Sequence, residues 1–144
     1  MASVTFQLVT PEGVKFTEQA YEVLLPTPDG QIAVLPHHMP LVSLASPGVI
    51  SVRRKQSDTD AQMEQFATSG GLIEIEGNRI RLLADAAEHA DEVDELAAKE
   101  ALERAKQLQR EAQDHVALAD ATGLIEESLA RLKLADIRKH RHRT

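Results

Sequence analysis

The sequence changes character near residue 88, and this change constrains the fold more than any other feature. Residues 1–87 carry short apolar runs separated by glycine and proline, whereas residues 88–144 contain frequent alanine, no proline and the single glycine Gly123. Glycine and proline mark turns and interrupt helices, and alanine has the highest helix propensity. The sequence therefore predicts an all-β unit in residues 1–87, followed by a helical unit in residues 88–144.

The first unit shows the alternation that is typical of short β-strands. Val4, Phe6 and Leu8 are separated by polar residues, which is the period of a strand with one buried face. Similar apolar runs, separated by turn residues, follow at residues 14–16, 21–25, 32–35, 41–44, 49–52, 63–67, 72–76 and 80–83. Many short strands at this spacing favour an antiparallel sandwich or barrel. We predict an all-β antiparallel sandwich.

The second unit is predicted to be an antiparallel two-helix hairpin. Spacings of three and four residues place one apolar stripe on the first helix, formed by Ala90, Val93, Ala97, Ala101, Ala105, Leu108 and Ala112. The polar residues 113–115 suit a turn, and a second helix should begin at residues 116–119 and end near Lys139. Because alanine buries little apolar area, we expect this hairpin to detach more easily than the β unit unfolds.

The stretch of residues 28–48 is predicted to form a stiff, exposed surface. Asp29 and Gly30 form a hairpin-turn pair, because both residue types tolerate the positive φ of tight turns. Pro36 ends the strand that follows, and a loop with two histidines and a methionine precedes Pro40. Two rigid turns around a short strand favour a surface for docking over a pocket for chemistry.

Composition excludes several classes of function. A net charge of −7 argues against general nucleic-acid binding, which needs a basic face. The chain has no cysteine, so it has neither a disulfide nor a thiolate ligand or nucleophile. It shows neither a signal sequence nor an apolar run of about eighteen residues. We therefore expect a soluble, unexported protein that meets a membrane only indirectly, through a partner.

Basic charge is concentrated at the C-terminal end of the chain. Residues 87–127 hold twelve acidic and four basic residues, net −8, and residues 128–144 hold one acidic and six basic residues, net +5. This basic arm can be a solvated helix end whose cations favour the C-terminal dipole. It can equally be a surface that docks on an acidic partner. The residues alone leave both interpretations open.

No group of residues forms a recognisable catalytic or metal site. His37 and His38, joined by His89 or His115, could be imagined as metal ligands, but adjacent histidines point in different directions. Residues 69–71 lack the lysine and the following helix of a phosphate-binding loop. No serine has the spacing of a nucleophile elbow. We therefore predict a contact loop at the histidines, and no catalytic residue, metal or cofactor.

Four segments, in a fixed order, carry a resemblance to a known family. They are residues 29–41 (DGQIAVLPHHMPL), 47–50 (PGVI), 69–75 (SGGLIEI) and 77–87 (GNRIRLLADAA). Together with the helical pair that follows, they resemble the epsilon subunit of F-type ATP synthases along nearly the whole chain. The resemblance implies a β-sandwich with a C-terminal helical hairpin, which the periodicity predicts independently.

The resemblance implies a non-catalytic subunit of the central rotor, held at the cytoplasmic side of the cell membrane as part of the synthase. The sandwich would attach to the rotor, between the gamma subunit and the ring of c subunits. Contact with the polar loops of the c ring is implied for Pro28, Asp29, Gly30 and Gln31. The junction of gamma and the ring is implied for His37, His38, Met39 and Leu41. The family often has an acidic residue at the position of Gln31, so a weaker hydrogen bond would replace a charged contact here.

The resemblance also implies a regulatory role for the hairpin. Folded against the sandwich it would permit turnover, and extended along gamma it would reach the alpha and beta subunits of the catalytic head and block ATP hydrolysis. Because the basic arm has a net charge of +5, we expect its cations to dock on acidic loops of the head. These cations are Arg131, Lys133, Arg138, Lys139 and Arg141.

Some members of the family bind ATP on the folded hairpin. Asp94 matches the aspartate of their motif, but Ala97 stands at the position of its arginine. Arg131 matches a nucleotide-contacting arginine, and Glu127, one turn earlier, has the wrong charge for a phosphate. The chain lacks one charged contact and gains a repulsion. We therefore expect Asp94 and Arg131 to support weak nucleotide binding at most.

A second class of function stays open on the sequence. A free-standing adaptor would use the sandwich to bind one protein and the hairpin to bind another, unconnected with ATP synthase. Both hypotheses predict the same architecture, because the same two units would serve either role. Copurification with a large membrane complex distinguishes them.

Overall fold

A computed structural model describes residues 2–143 of the chain and the side chains of residues 2–140. In this range the strands are β1 (Val4–Thr10), β2 (Gly13–Ala20), β3 (Glu22–Thr27), β4 (Gly30–Val34), β5 (Leu41–Ala45), β6 (Gly48–Arg53), β7 (Glu64–Thr68), β8 (Gly71–Glu76), β9 (Arg79–Ala84) and β10 (Ala87–His89). The helices are α1 (Glu95–Glu111) and α2 (His115–Arg143), and short 3₁₀ helices cover Asp60–Gln62 and Ala90–Glu92. This order confirms a β unit followed by two helices.

The strands form two five-stranded sheets that pack face to face. The strand order is β2-β1-β9-β8-β5 in the first sheet and β10-β7-β6-β3-β4 in the second. Paired strands are antiparallel except β1 and β9, which run parallel and place Leu8 beside Leu82. A parallel pair needs a long connection, and here most of the sandwich lies between the two strands in sequence. The predicted antiparallel sandwich is confirmed, with one parallel pair that local patterns do not reveal.

The core lies between the two sheets and follows the predicted alternation. Phe6 and Leu8 are fully buried on β1, and Leu82 is fully buried on β9. The ring of Phe16 on β2 lies 6.1 Å from that of Phe6 and 4.8 Å from that of Phe66 on β7, so aromatic contacts connect the two sheets. Burial of this apolar face also fixes the strand register, because a slip of one residue would expose it.

The strand β10 was not among the predicted strands. It extends the second sheet, with Ala87 beside Thr68 and His89 beside Phe66 of β7. Three residues that include a glutamate and a histidine are too few and too polar to show alternation. The β-structure therefore continues to residue 89.

Helix α1 begins later than the alanine pattern predicts. Ala90 and Val93 are buried in and just after the short 3₁₀ helix, and the Asp94 side chain caps α1 by accepting the Ala97 N–H at 3.1 Å. The buried residues of α1 are Ala98, Leu102 and Ala105. Of the predicted stripe, Ala90, Val93 and Ala105 are buried, Ala97, Ala101 and Ala112 are partly buried, and Leu108 is exposed. Within α1 the stripe is thus shifted by one residue from the buried Ala98 and Leu102. Alanine occurs on several faces of this helix, so its spacing does not decide which face is buried.

The two helices form the predicted hairpin, which lies folded against the sandwich. Residues 112–114 connect them, and α2 packs on α1, β6 and β7. A small apolar cluster joins α2 to the sandwich and consists of Ala67, Ala90, Val93, Ala130, Leu134 and Ala135. Within residues 2–143, neither helix combines the length and the apolar character that crossing a membrane requires.

Candidate functional site

The turn between β3 and β4 forms a stiff, exposed tip. Thr27 Oγ1 donates to the carbonyl of Gly30 at 2.6 Å and accepts from the N–H of Asp29 at 3.3 Å. Gly30 has a φ of +118°, a conformation that a residue with a Cβ rarely adopts. Pro28, Asp29, Gly30 and Gln31 are all exposed. This tip can offer one carboxylate and one amide to a polar partner without first becoming ordered.

The loop from residue 35 to residue 40 is held by the neighbouring hairpin. His37 has a left-handed φ of +68°, and its N–H donates to Asn78 Oδ1 at 2.6 Å, in the turn between β8 and β9. The N–H of His38 donates to the carbonyl of Leu35 at 3.2 Å. Met39 is 71% exposed beside these anchored residues. The loop therefore presents a large apolar side chain from a fixed backbone.

The predicted c-ring tip and the predicted junction loop lie at opposite ends of β4. Pro36 lies six positions after Gly30 in the sequence. At a strand rise of about 3.3 Å per residue, the two residues are about 20 Å apart. The two segments therefore form separate surfaces. Both border the same side of the sandwich, where β4 and β5 are the edge strands of the two sheets.

The histidines of the loop do not form a metal site with each other. His38 Nδ1 lies 2.6 Å from the carbonyl oxygen of Met39, so this nitrogen carries a proton and donates it. Across the side chains that the structure describes, no three His, Asp or Glu residues are grouped so that they could hold a metal ion. The described contacts of the loop are hydrogen bonds that hold it in place.

An apolar row crosses the outer face of the first sheet, and the sequence did not reveal it. Strand register places five outward side chains side by side, in the order Leu44, Leu72, Leu83, Val9 and Val14. The two ends of this outer row are the most accessible, with Leu44 64% and Val14 58% exposed. The next outward row contains the polar residues Glu74, Arg81 and Gln7 and ends on β5 at Val42, which is 69% exposed. Five strands contribute one residue each, so only the three-dimensional register assembles the row.

The cations of the basic arm turn back toward the start of the hairpin. Arg131 Nε lies 2.8 Å from Glu88 Oε2, and Lys139 Nζ lies 2.5 Å from Glu95 Oε2. Arg138 donates to the backbone carbonyl of Ala90 at 3.1 Å. Lys133 is exposed, and the side chain of Arg141 lies outside the described residues. Three of the five predicted docking cations are thus engaged within the chain.

The residues expected to touch a nucleotide do not form an anion site. Arg131 borders a cleft of about 120 Å³ together with two carboxylates, Glu88 and Glu127. Burial raises the pKa of Glu127; Arg131 lowers it, and Glu88 raises it further. Asp94 uses its carboxylate as the cap of α1, accepting the N–H of Ala97. A phosphate entering this cleft would meet more negative than positive charge.

Comparison with known proteins identifies the family. The family model described as the β-sandwich domain of the delta/epsilon chain of ATP synthase matches residues 3–90. The ATP synthase epsilon chain of Moorella thermoacetica is 36% identical over 135 residues, which cover 94% of this chain and 98% of that one. The epsilon chain of Herpetosiphon aurantiacus is 33% identical over 138 residues, covering 96% and 98%. The chain belongs to the ATP synthase epsilon chain family.

Solved structures agree with this family in fold. A chain from the mitochondrial ATP synthase of Euglena gracilis, solved with OSCP, F1 and the c-ring, matches with a TM-score of 0.74 at 19% identity, covering 90% of this chain and 79% of that one. A chain from the central stalk and c-ring of the Tetrahymena thermophila enzyme matches with a TM-score of 0.60 at 13% identity, covering 90% and 94%. Epsilon chains are accessory subunits, so family membership makes this protein a non-catalytic component.

Proposed function

We propose that this protein is a rotor subunit of an ATP synthase central stalk, joining the gamma subunit to the ring of c subunits. In this role it transmits torque between the ring and the catalytic head while an ion gradient drives ATP synthesis. Support comes from the similarity to epsilon chains over nearly the whole chain. The observation that carries the proposal is the pair of separate exposed surfaces, the tip and the outer row, on one rigid sandwich.

The chemistry of the two surfaces assigns a different partner to each. The tip at residues 28–31 is polar and suits the polar loops of the c ring, with Gln31 forming a hydrogen bond. The outer row is apolar and suits gamma, because burying it against a protein removes exposed apolar area from water. The loop with His37, His38, Met39 and Leu41 would lie where gamma meets the ring.

The hairpin would act as a brake on ATP hydrolysis when it extends along gamma. In the extended state, Arg131, Lys133, Arg138, Lys139 and Arg141 would dock on acidic loops of the alpha and beta subunits. The net charge of +5 on residues 128–144 supports this electrostatic docking. The protein would stay at the cytoplasmic side of the cell membrane, attached through the c ring. Glu88 and Glu127 lie beside Arg131 in the same cleft, and their negative charge would repel a phosphate. The folded hairpin would therefore bind ATP weakly or not at all.

Interface variants test the proposed partners. Leu44→Ser with Leu83→Ser should abolish capture of purified gamma subunit by the isolated protein, because both side chains lie in the outer row. Glu74→Gln, in the next outward row, is the matched control and should bind normally. Equal binding by both variants contradicts the assignment of the row to gamma. Failure of the unaltered protein to copurify with an ATP synthase leaves the free-standing adaptor as the better hypothesis.

Hydrolysis by the assembled soluble head tests the proposed brake. Full-length protein is compared with a version that ends after Ala90, a cut that retains β10 in its sheet. We expect the shortened protein to bind the head and to give faster ATP hydrolysis. If both versions bind the head equally and give equal rates of ATP hydrolysis, the hairpin does not inhibit hydrolysis. The proposed role in joining gamma to the c ring would be unaffected by that result.

A further inference from the structure

The segment that runs from the end of β10 to the first residue of α1 is unusually acidic, and it is contacted by β2, β7 and α2. This junction, residues 88–95, contains five acidic residues, which are Glu88, Asp91, Glu92, Asp94 and Glu95. Lys15 of β2 pairs with Glu92 at 3.0 Å from the sandwich side. The Nε2 of His89 contacts the Glu64 carboxylate of β7, which fixes the N-terminal end of the junction. The junction is therefore anchored to the sandwich and presents negative charge to α2.

Three cations of α2 reach this junction. Arg131 pairs with Glu88, and Lys139 pairs with Glu95, whose pKa is held below its usual value by the hydrogen bond from Lys139. Arg138 donates from Nη1 to the carbonyl of Ala90 at 3.1 Å and lies 3.4 Å from that of Asp91. The partners of these cations lie in the junction and not in α2. The cations therefore contact a different part of the chain, in addition to any favourable interaction with the dipole of their own helix.

The apolar contact beneath these pairs is weak. In the cluster between α2 and the sandwich, Leu134 and Val93 are the largest side chains and the others are alanine. Burial of alanine stabilises little per residue. The charged contacts at the junction therefore add to a small apolar contact between α2 and the sandwich.

We propose that Arg131, Arg138 and Lys139 form an electrostatic clasp with the junction that keeps the hairpin folded. The Arg131 side chain is 19% exposed and pairs with Glu88, and Lys139 pairs with Glu95 although its side chain is 53% exposed. The folded hairpin thus engages the same cations that an extended hairpin would offer to the catalytic head. The clasp itself is independent of the partner, and its consequence for hydrolysis rests on the proposed function.

Hydrogen exchange of the isolated full-length protein tests the clasp directly. Arg138→Gln with Lys139→Gln should speed exchange of the α2 amides that face the sandwich by about tenfold, the size expected for losing two partly exposed charged contacts. Lys106→Gln with Lys133→Gln is the control, because it removes the same net charge from the hairpin at two exposed positions outside the clasp. High salt should speed exchange of the unaltered protein in the same region. Equal exchange in the two double variants, or no response to salt, overturns the clasp.

A variant on the acidic side separates the clasp from the proposed brake. Glu95→Gln loses the carboxylate that Lys139 shares with Lys99 of α1, and it leaves every cation of the basic arm in place. It should raise α2 exchange in the isolated protein and strengthen inhibition of hydrolysis in the assembled head. Faster exchange with unchanged inhibition supports the clasp and contradicts the brake. Unchanged exchange contradicts the clasp, whatever the rate of hydrolysis.

Discussion

The interior of the sandwich and the contact between hairpin and sandwich differ in the size of their side chains. Between the sheets, large groups such as Phe6, Ile73 and Leu82 are completely buried. Between α2 and the sandwich, alanine dominates, and Leu134 is the one leucine. Since stabilisation scales with buried apolar area, we expect the hairpin to detach from the sandwich at a lower cost in free energy than the sandwich unfolds.

Charge distribution widens this difference. The sandwich core is apolar, whereas charged pairs such as Arg131 with Glu88 lie at the edge of the hairpin. Because salt screens partly exposed pairs, we expect opening of the hairpin to respond to ionic strength more than unfolding of the sandwich does. The different side chains at the two interfaces thus predict different stabilities and different responses to salt.

Truncating a core side chain should give the largest effect. Leu82→Ala should lower the free energy of unfolding of the sandwich by about 3 kcal/mol, because the residue is completely buried. Urea unfolding measures this free energy, and hydrogen exchange of the β1 and β9 amides provides a second measurement. Leu83→Ala is the matched control, since that side chain faces outward and is 37% exposed. Equal losses in the two variants would contradict the description of this core.

The same truncation at the hairpin interface should act locally. Leu134→Ala should lower the free energy of opening of the hairpin by about 2 kcal/mol and leave sandwich unfolding unchanged, because Leu134 is completely buried in the weak cluster. Exchange of α2 amides measures opening, and β9 amides report the sandwich. Leu129→Ala, at a position 50% exposed on the same helix, should change neither. A parallel loss of sandwich stability would show that the two units unfold together.

The sequence predicted what depends on local pattern. Alternation identified the strands, and the polar residues 113–115 marked the turn between the two helices to within a few residues. Within α1 the buried face was predicted one residue off, because alanines occur around the helix and two of its three leucines, Leu96 and Leu108, are exposed. The outer row required the register of five strands, and the Arg131 to Glu88 pair joins residues 43 positions apart. No local signal carries such long-range contacts.

Strengthening α2 itself should have a smaller effect than changing its interface. Gly123→Ala should stabilise this helix by up to about 1 kcal/mol, because an added Cβ would meet no other atom within 4 Å. Amide exchange of residues near the substitution measures this, with Leu129→Ala as a comparison that keeps a helix-forming residue. Sandwich exchange should stay constant. A slower exchange of α2 everywhere, including at the junction, would mean that helix formation and docking are coupled.

The smallest effect concerns Glu127, a partly buried carboxylate in the cleft between the hairpin and the sandwich. Burial raises the pKa of Glu127, with Arg131 lowering it and Glu88 raising it. Because the pKa is higher in the docked hairpin than in the detached one, this group favours docking at pH values below its detached pKa. That contribution is lost as the pH rises through the docked pKa. Glu127→Gln should therefore slow α2 exchange at neutral pH and flatten its pH dependence.

A neighbouring glutamate provides the control for this pH effect. Glu126→Gln removes the same charge from an exposed position of the same helix, so it should leave both the exchange rate and its pH dependence unchanged. If the two variants behave alike, general charge reduction explains the result, and burial at the cleft has no part in it. If only Glu127→Gln slows exchange, the hairpin interface contains a built-in penalty at neutral pH that the sandwich core lacks, because the carboxylates of the sandwich lie outside its apolar core.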